Sequence, residues 1–531
     1  MVACENGIAS GVGSDVLAQG GTAIDAAVAT AFALAVVHPA AGNIGGGGFL
    51  LSRPATGPAV FYDFREAAPS AASPTMFLKD GAYDETLHHN SYRSVGVPGT
   101  VKGLHLAWQE GGKLPWPRLV EPAIRLARDG FPLSFGLASS LAGVLPDMRP
   151  YPAAIAQFSK GGTPYAAGEV LRQPDLARTL ERIAREGPTG FYEGEVASLI
   201  EKDMQAHGGL ITRADLLAYK VFKRTPLSGS YRGYTILSAP PPSSGGTVLL
   251  ETLNVLEGTG YEGGGYASAS SVHWIAEAMR RAFADRARYL GDPEFNPDMP
   301  IPRLTSKAYA ATLRQTIDPR RASRSDPEVF AFAPEGTETT HLSVVDASRN
   351  AVSLTYTLEG GYGVKSVVPG AGFLLNNEMG DFNGKPGLTD PDGLIGTPAN
   401  VAEPGKRMLS SMTPTILTKD GALFLVLGSP GGRTIPNTVL LTLLNVVDFG
   451  MNVRDAVDAP RFHHQWLPDR ILFEERALSP DTQALLREAG YNLVSGRWHL
   501  GSVQAILVDP TGGLLEGGSD RRAPDGAAVG R

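Results

Sequence analysis

Glu338-Thr339-Thr340-His341-Leu342-Ser343-Val344-Val345-Asp346 is the stretch on which the fold turns. His341–Asp346 is a short β-prone run and Ala351–Leu358 is another. The turn-forming Ala347-Ser348-Arg349-Asn350 lies between them, so the pattern predicts a hairpin. Upstream, residues 291–338 are rich in Pro, Asp, Arg and Ser, with turn signals at Gly291-Asp292-Pro293 and Pro334-Glu335-Gly336. They read as a mobile, exposed tract that ends where the first strand begins. A threonine hydroxyl is a poor nucleophile without a base beside it. Cutting the peptide bond before Thr339 would supply one, the freed α-amine of the threonine itself. Thr-Thr at a strand start also satisfies ordinary β propensity, so the segment alone leaves both readings open.

Working outward, a second strand pair is expected at Thr413–Leu417 and Ala422–Leu427, joined by Thr418-Lys419-Asp420-Gly421. Gly428-Ser429-Pro430-Gly431-Gly432 then leads into Val439–Val447, which is apolar enough for a buried helix. Adjacent glycines before a helix let backbone N–H groups converge in a positive potential, as an oxyanion hole requires. A tight strand-to-helix turn is the equal alternative. Toward the N-terminus, residues 16–37 read as a helix with Thr22 as a cap, and Ala, Val, Leu and Phe fill it almost completely, as in a helix buried all round. The cluster Gly42-Asn43-Ile44-Gly45-Gly46-Gly47-Gly48 is followed by strand-like Phe49-Leu50-Leu51 and lacks a Gly-Lys-Ser/Thr ending, so close backbone packing fits it better than a nucleotide. From Ser271 to Leu290, Trp274, Ile275, Ala278, Met279, Ala282 and Phe283 share one helical face and read as core. Strands and helices in these alternations imply layers of sheet and helix, with no internal repeat.

Composition narrows the function. The chain has 531 residues, 43% hydrophobic and 19% charged, enough for a large core. Its formal net charge is −7 and its acids and bases are interspersed; with no basic stripe, nucleic-acid binding has no electrostatic footprint. Cys4 is the single cysteine, which removes an intramolecular disulfide and any cysteine-based metal site. The longest apolar run, Ala26–Val37, is too short to span a bilayer. Met1 opens almost directly on folded-looking sequence, without a signal segment. The expectation is a periplasmic or secreted protein whose signal peptide has been removed, or else a cytoplasmic one.

Three further groups suit a zwitterionic amino-acid head. Arg65, in Asp63-Phe64-Arg65-Glu66, could clamp a carboxylate; Asp381, in Asn376-Asn377-Glu378-Met379-Gly380-Asp381-Phe382, could hold an ammonium; Ser410-Ser411 offers hydroxyls. Each residue type is individually common on surfaces. The ordered set carries more. Together with Gly21–Ala29, Gly96-Val97-Pro98-Gly99-Thr100, Pro240–Gly246, Leu409-Ser410-Ser411-Met412, Ala459–Trp466 and Gly518-Ser519-Asp520, these segments resemble the gamma-glutamyltranspeptidase family over nearly the whole chain.

The resemblance implies an α/β (α+β) fold, a four-layer αββα sandwich of the N-terminal-nucleophile hydrolase type. It implies self-cleavage between Glu338 and Thr339 into a large, helix-rich chain 1–338 and a small chain 339–531, intertwined as one globular unit. Thr339 would be the nucleophile, Thr357 its hydrogen-bonding partner, and Gly431 and Gly432 the oxyanion donors. Arg65, Ser410 and Ser411 would hold the substrate carboxylate, and Asp381 the ammonium. The implied activity is a gamma-glutamyl hydrolase/transpeptidase working on glutathione-like donors through a threonyl ester, with water, an amino acid or a peptide as acceptor, and with no metal or cofactor. Glu359 stands where the family usually has asparagine, and Glu378 where bacterial members often have glutamine; with Asp381 they make a strongly acidic pocket. Gly380 stands where many members carry another aspartate. Phe382–Lys406 matches the family's lid, but Asp392 occupies the place expected for an aromatic gate.

Rival readings follow from the same residues. A glutaryl or cephalosporin acylase would have little use for Asp381, and a poly-gamma-glutamate hydrolase shares the chemistry. An inactive binding relative would not need Thr339, Thr357, Gly431 and Gly432 together. A metal hydrolase has only His88-His89 and His463-His464 to offer, neither with carboxylates at ligand spacing.

Overall fold

The computed structural model describes residues 1–326, 339–387, 397–497 and 499–531. Two antiparallel sheets carry the architecture. The first runs, edge to edge, through Ala527–Val529, Val2–Cys4, Thr340–Val345, Ala351–Thr357, Gly47–Arg53, Val60–Phe64 and Phe222–Arg224. The second runs through Leu515–Ser519, Gln504–Val508, Ala422–Gly428, Thr415–Lys419, Tyr234–Ser238 and Leu227–Tyr231. Each sheet therefore contains strands from both sides of position 338.

The hairpin that the sequence predicts is present in register, with Leu342 opposite Leu354 and Val344 opposite Val352. Because side chains alternate along a strand, it has two different faces. Leu342, Val344, Leu354 and Tyr356 belong to the core beneath the helix Ala23–Val37, and the Tyr356 hydroxyl donates to the Ala31 carbonyl at 2.9 Å. On the opposite face Ser343 Oγ donates to the Gln504 carbonyl and Ser353 Oγ to the Leu427 carbonyl, both at 3.0 Å, tying the two sheets together. Beyond the second sheet, Gly245–Leu256, Ala269–Tyr289 and Ile435–Val447 share a second core with Ile416, Leu425 and Val426. Helix, sheet, sheet, helix: the fold is the αββα sandwich of the N-terminal-nucleophile hydrolases.

Local expectations hold with two revisions. The helix read over 16–37 is two helices, Gly7–Ala18 and Ala23–Val37, separated by a turn. Gly11 and Gly13 disguise the first, since glycine is a poor helix former. A Cβ on Gly13 would lie 2.2 Å from Thr30 Oγ1, so the glycine lets the helices cross closely. Thr22 caps the second in a reciprocal box with Asp25, and every residue from Ala23 to Val37 is buried. The glycine cluster is close packing: a Cβ on Gly46 would fall 2.1 Å from the Thr357 carbonyl, and one on Gly48 2.4 Å from that of Thr355. The tract after 291 is less loose than expected. Its described part, to 326, forms Ile301–Leu304 and Lys307–Gln315, and Leu304 and Ala310 are buried. Among the described residues no helix is long and apolar enough to cross a membrane.

Candidate active site

Thr339 lies at the start of its strand, nearly buried, where the hairpin ends open into a narrow cleft. Arg65, Thr339, Thr357, Glu359, Glu378, Asp381, Ser410, Ser411 and Gly432 all line it, with Met412 and Ile435. Residues 65, 339–359, 378–381, 410–411 and 432 are far apart in sequence. The sheets bring them together, because the strands Val60–Phe64, Thr340–Val345 and Ala351–Thr357 all end at this edge. Glu338 and Asp392 lie outside the described residues.

At the threonine end, Thr339 Oγ1 donates to Thr357 Oγ1 at 3.3 Å, and the Glu359 amide donates to the same oxygen at 2.9 Å. Thr357 therefore links the candidate nucleophile to the backbone of a pocket residue. Glu359 holds φ of 77°, a left-handed conformation in which a Cβ-bearing residue is strained. On the other side, Gly431 has φ of 129° and Gly432 of 54°, values open to glycine. Gly432–Thr434 is one 3₁₀ turn running into the helix Ile435–Val447. The Gly431 carbonyl is bound by Thr434, whereas the Gly431 and Gly432 N–H groups donate to no protein acceptor among the described residues. Two such groups before a helix suit a developing oxyanion.

The far end is an ion cluster. Arg65 is fully buried; its guanidinium donates to Glu378 and to Asp381, and its Nε to the Met408 carbonyl at 3.4 Å. Glu66 is 3.7 Å away. The sequence reading assigns Arg65 to a substrate carboxylate and Asp381 to a substrate ammonium; the structure pairs the two with one another. Burial works against the Arg65 cation, but Glu378, Asp381 and Glu66 outweigh it and raise its pKa. Burial pushes Glu378 well above the usual carboxylate range; Arg65 opposes this, and Glu66, Asp381 and Glu359 reinforce it. Glu66 is pushed up to about 7, first by burial and against the pull of Arg65. Among the described residues the cleft is thus lined by more carboxyl groups than guanidinium groups, a setting that favours a bound cation.

The two serines sit on a third wall. Ser411 Oγ accepts from Arg286 Nη2 at 3.0 Å, and Ser410 Oγ accepts from the Met412 amide at 3.1 Å. Arg286 also donates to Ser244 Oγ at 2.8 Å, which in turn donates to the Ser410 carbonyl at 2.7 Å. Sequence reasoning missed Arg286, which sits in the last turn of a helix read as core; its cue was a charged residue in an otherwise buried stripe. Asn376 and Asn377 were noted without a role. Asn376 Nδ2 donates to the carbonyls of Gly45 and Gly96 at 2.8 Å, and Asn377 donates to Glu359. His463 and His464 are buried in the core with pKa values lowered to about 4 by burial, in keeping with a packing role.

The family model for gamma-glutamyltranspeptidase matches residues 9–530. The glutathione hydrolase proenzyme of Escherichia coli K12 is 47% identical over 100% of this chain and 91% of its own length. The acylase ACY 1 proenzyme of Pseudomonas sp. strain SE83 is 37% identical over 100% of this chain and 93% of its own. Among solved structures, the cephalosporin acylase from Bacillus halodurans superposes with a TM-score of 0.88 at 29% identity, covering 100% of this chain and 95% of that one. Fold, ordered motifs and full-length matches agree: the chain belongs to the gamma-glutamyltranspeptidase family.

Proposed function

We propose that the protein is a gamma-glutamyl amide hydrolase/transpeptidase that matures by cleavage before Thr339, into chains 1–338 and 339–531, and acts through a threonyl ester. The observation that supports this most is the sharing of one cleft by Thr339 and an arginine-plus-carboxylate cluster matched to an amino-acid head. Thr339 Oγ1 attacks the γ-carbonyl while its freed α-amine takes the hydroxyl proton. The Gly431 and Gly432 N–H groups receive the oxyanion, and collapse expels the donor's amine with the proton returned. Water or an acceptor amine then attacks the ester by the reverse sequence. Arg65, with Ser410 and Ser411, binds the α-carboxylate. Asp381, Glu359 and Glu378 bind the α-ammonium, which enters a pocket with an excess of carboxyl groups whose charged forms a cation stabilises.

That excess favours gamma-glutamyl over glutaryl donors, since a glutaryl group brings a carboxylate and no ammonium. The names of the relatives, glutathione hydrolase in one and acylase in others, keep both chemistries in view. Glutathione is the donor class we assign, and a periplasmic or secreted location the setting. Hydrolysis of gamma-glutamyl-anilide and glutaryl-anilide side by side tests the reading. Release from the gamma-glutamyl compound is expected to exceed release from the glutaryl compound by a wide margin; preference for the glutaryl compound would move the protein to the acylases.

A further inference from the structure

We infer that His89 is a positioning residue that fixes the Glu359 carboxylate in the donor pocket; the inference rests on the reaction proposed above. His89 closes the short helix Glu85–His89, remote in sequence from every residue lining the cleft except Arg65. Its Nδ1 lies 3.7 Å from Glu359 Oε1, with the two side chains only 14% and 4% exposed. The other carboxylate oxygen, Oε2, accepts from Asn377 Nδ2, and the same amide nitrogen donates to the His89 carbonyl at 3.1 Å. Asn377 Oδ1 meanwhile accepts the Gly360 amide at 2.9 Å. Glu359 is therefore bracketed: one oxygen faces the His89 ring, and the other is held by an amide that also grips the His89 backbone.

Two observations point to the ring serving Glu359 rather than merely filling space. His89 Nε2 is buried and has no hydrogen-bond partner among the described residues, whereas Nδ1 faces the carboxylate. Gly380 makes the approach feasible. A Cβ there would lie 2.5 Å from His89 Nδ1 and 3.5 Å from Glu359 Oε1, so any larger residue would wedge between helix and pocket. The ring is braced from behind by His88 at 4.1 Å between centroids, and His88 is itself pinned by Tyr83 OH at 2.9 Å and the Phe382 carbonyl at 3.1 Å. The neighbouring histidines thus support both acidic walls, His88 at the residue after Asp381 and His89 at Glu359.

Glu359 contributes its backbone to Thr357 and its side chain to the ammonium pocket, and His89 touches only the side chain. Loss of the ring nitrogen should therefore weaken recognition of the α-ammonium and leave the acyl-transfer step in place. The test is steady-state kinetics of the matured enzyme on gamma-glutamyl-anilide, with glutaryl-anilide as the donor that lacks the ammonium. For His89→Leu, KM for the gamma-glutamyl donor is expected to rise roughly tenfold, with little change in kcat and a much smaller change on the glutaryl donor. His89→Gln, which keeps a donor, should recover most of the loss. Gly380→Ala should raise KM in the wild-type background but add little to His89→Ala, because the ring it displaces is already gone. An active wild-type enzyme whose KM is unmoved by His89→Leu, or a variant that loses kcat on both donors alike, overturns the inference alone. A wild-type enzyme that releases the aniline from neither donor overturns the proposed reaction and takes this inference with it.

Discussion

The hydroxyl of Thr339 donates to the hydroxyl oxygen of Thr357 across 3.3 Å, at the point where the Glu359 amide also converges on that oxygen. One side chain on the second strand of the hairpin thus orients the candidate nucleophile and anchors the loop that carries a wall of the substrate pocket. The contact joins residues at adjacent ends of one hairpin, so the register of the sheet sets it.

Removing that oxygen without changing shape isolates its contribution. Thr357→Val leaves the Glu359 N–H without its acceptor and Thr339 without its partner, at a cost of about 1–3 kcal/mol. kcat/KM for a gamma-glutamyl donor should fall roughly 10- to 100-fold, and Thr357→Ser should restore most of it. Equal kinetics for Val and wild type would remove Thr357 from the mechanism.

Arg65 has a structural and a binding role to separate. Because it is buried among Glu66, Glu378 and Asp381, Arg65→Ala leaves carboxyl groups unpaired and should lower stability by about 3–5 kcal/mol. It should also weaken gamma-glutamyl donors by roughly 2–5 kcal/mol in kcat/KM, with less effect on self-cleavage. Thermal melts, gel analysis of maturation and kinetics read the three effects separately. Equal damage to cleavage and turnover would make Arg65 structural only.

Much of this was legible before the fold. The hairpin followed from two β-prone runs around Ala347–Asn350, the buried helix from the nearly continuous apolar sequence after Thr22, and the glycine cluster from the absence of any phosphate-binding ending. The named pocket residues also meet in one cleft, apart from Gly431, which adjoins it, and Glu338, which lies outside the described residues. What sequence could not give was partnership. Arg65 and Asp381 were assigned to opposite ends of a substrate, yet they are 316 positions apart and paired with each other, a relation only tertiary packing creates. His89 was dismissed with His88 as a poor metal pair, since its partner Glu359 comes 270 residues later. The helix Gly7–Ala18 was hidden because its glycines act through a crossing partner, Thr30, rather than through local propensity.

The pH profile of stability should carry the mark of Glu66. Neither of its oxygens has a hydrogen-bond partner among the described residues, and burial raises its pKa from 4.5 to about 7. Between those values the folded protein holds a proton that the unfolded chain has released. The contribution of this group is therefore full below about pH 4.5 and declines as pH rises toward 7. Glu66→Gln cannot titrate, so its Tm should vary less across that window and exceed the wild-type Tm above it. Parallel Tm profiles for the two proteins would contradict the assignment.

Glu359 combines a strained backbone with a binding carboxylate, and the two can be split. Asparagine tolerates the left-handed region better, so Glu359→Asn should relieve part of a strain of about 1–2 kcal/mol and leave Tm equal or higher. KM for gamma-glutamyl donors should rise, because an amide replaces the charge facing the ammonium. A lowered Tm would show that the side chain contributes more to the fold than its backbone costs.

The central claim is that Thr339, made N-terminal, carries the acyl group. Denaturing mass spectrometry of the enzyme quenched during turnover of gamma-glutamyl-anilide tests it most directly. The account predicts two polypeptides, one comprising residues 339–531, with a fraction of that chain bearing one gamma-glutamyl group on its first residue. An uncut chain that still turns over the donor, or an acyl group on any residue other than Thr339, would contradict it.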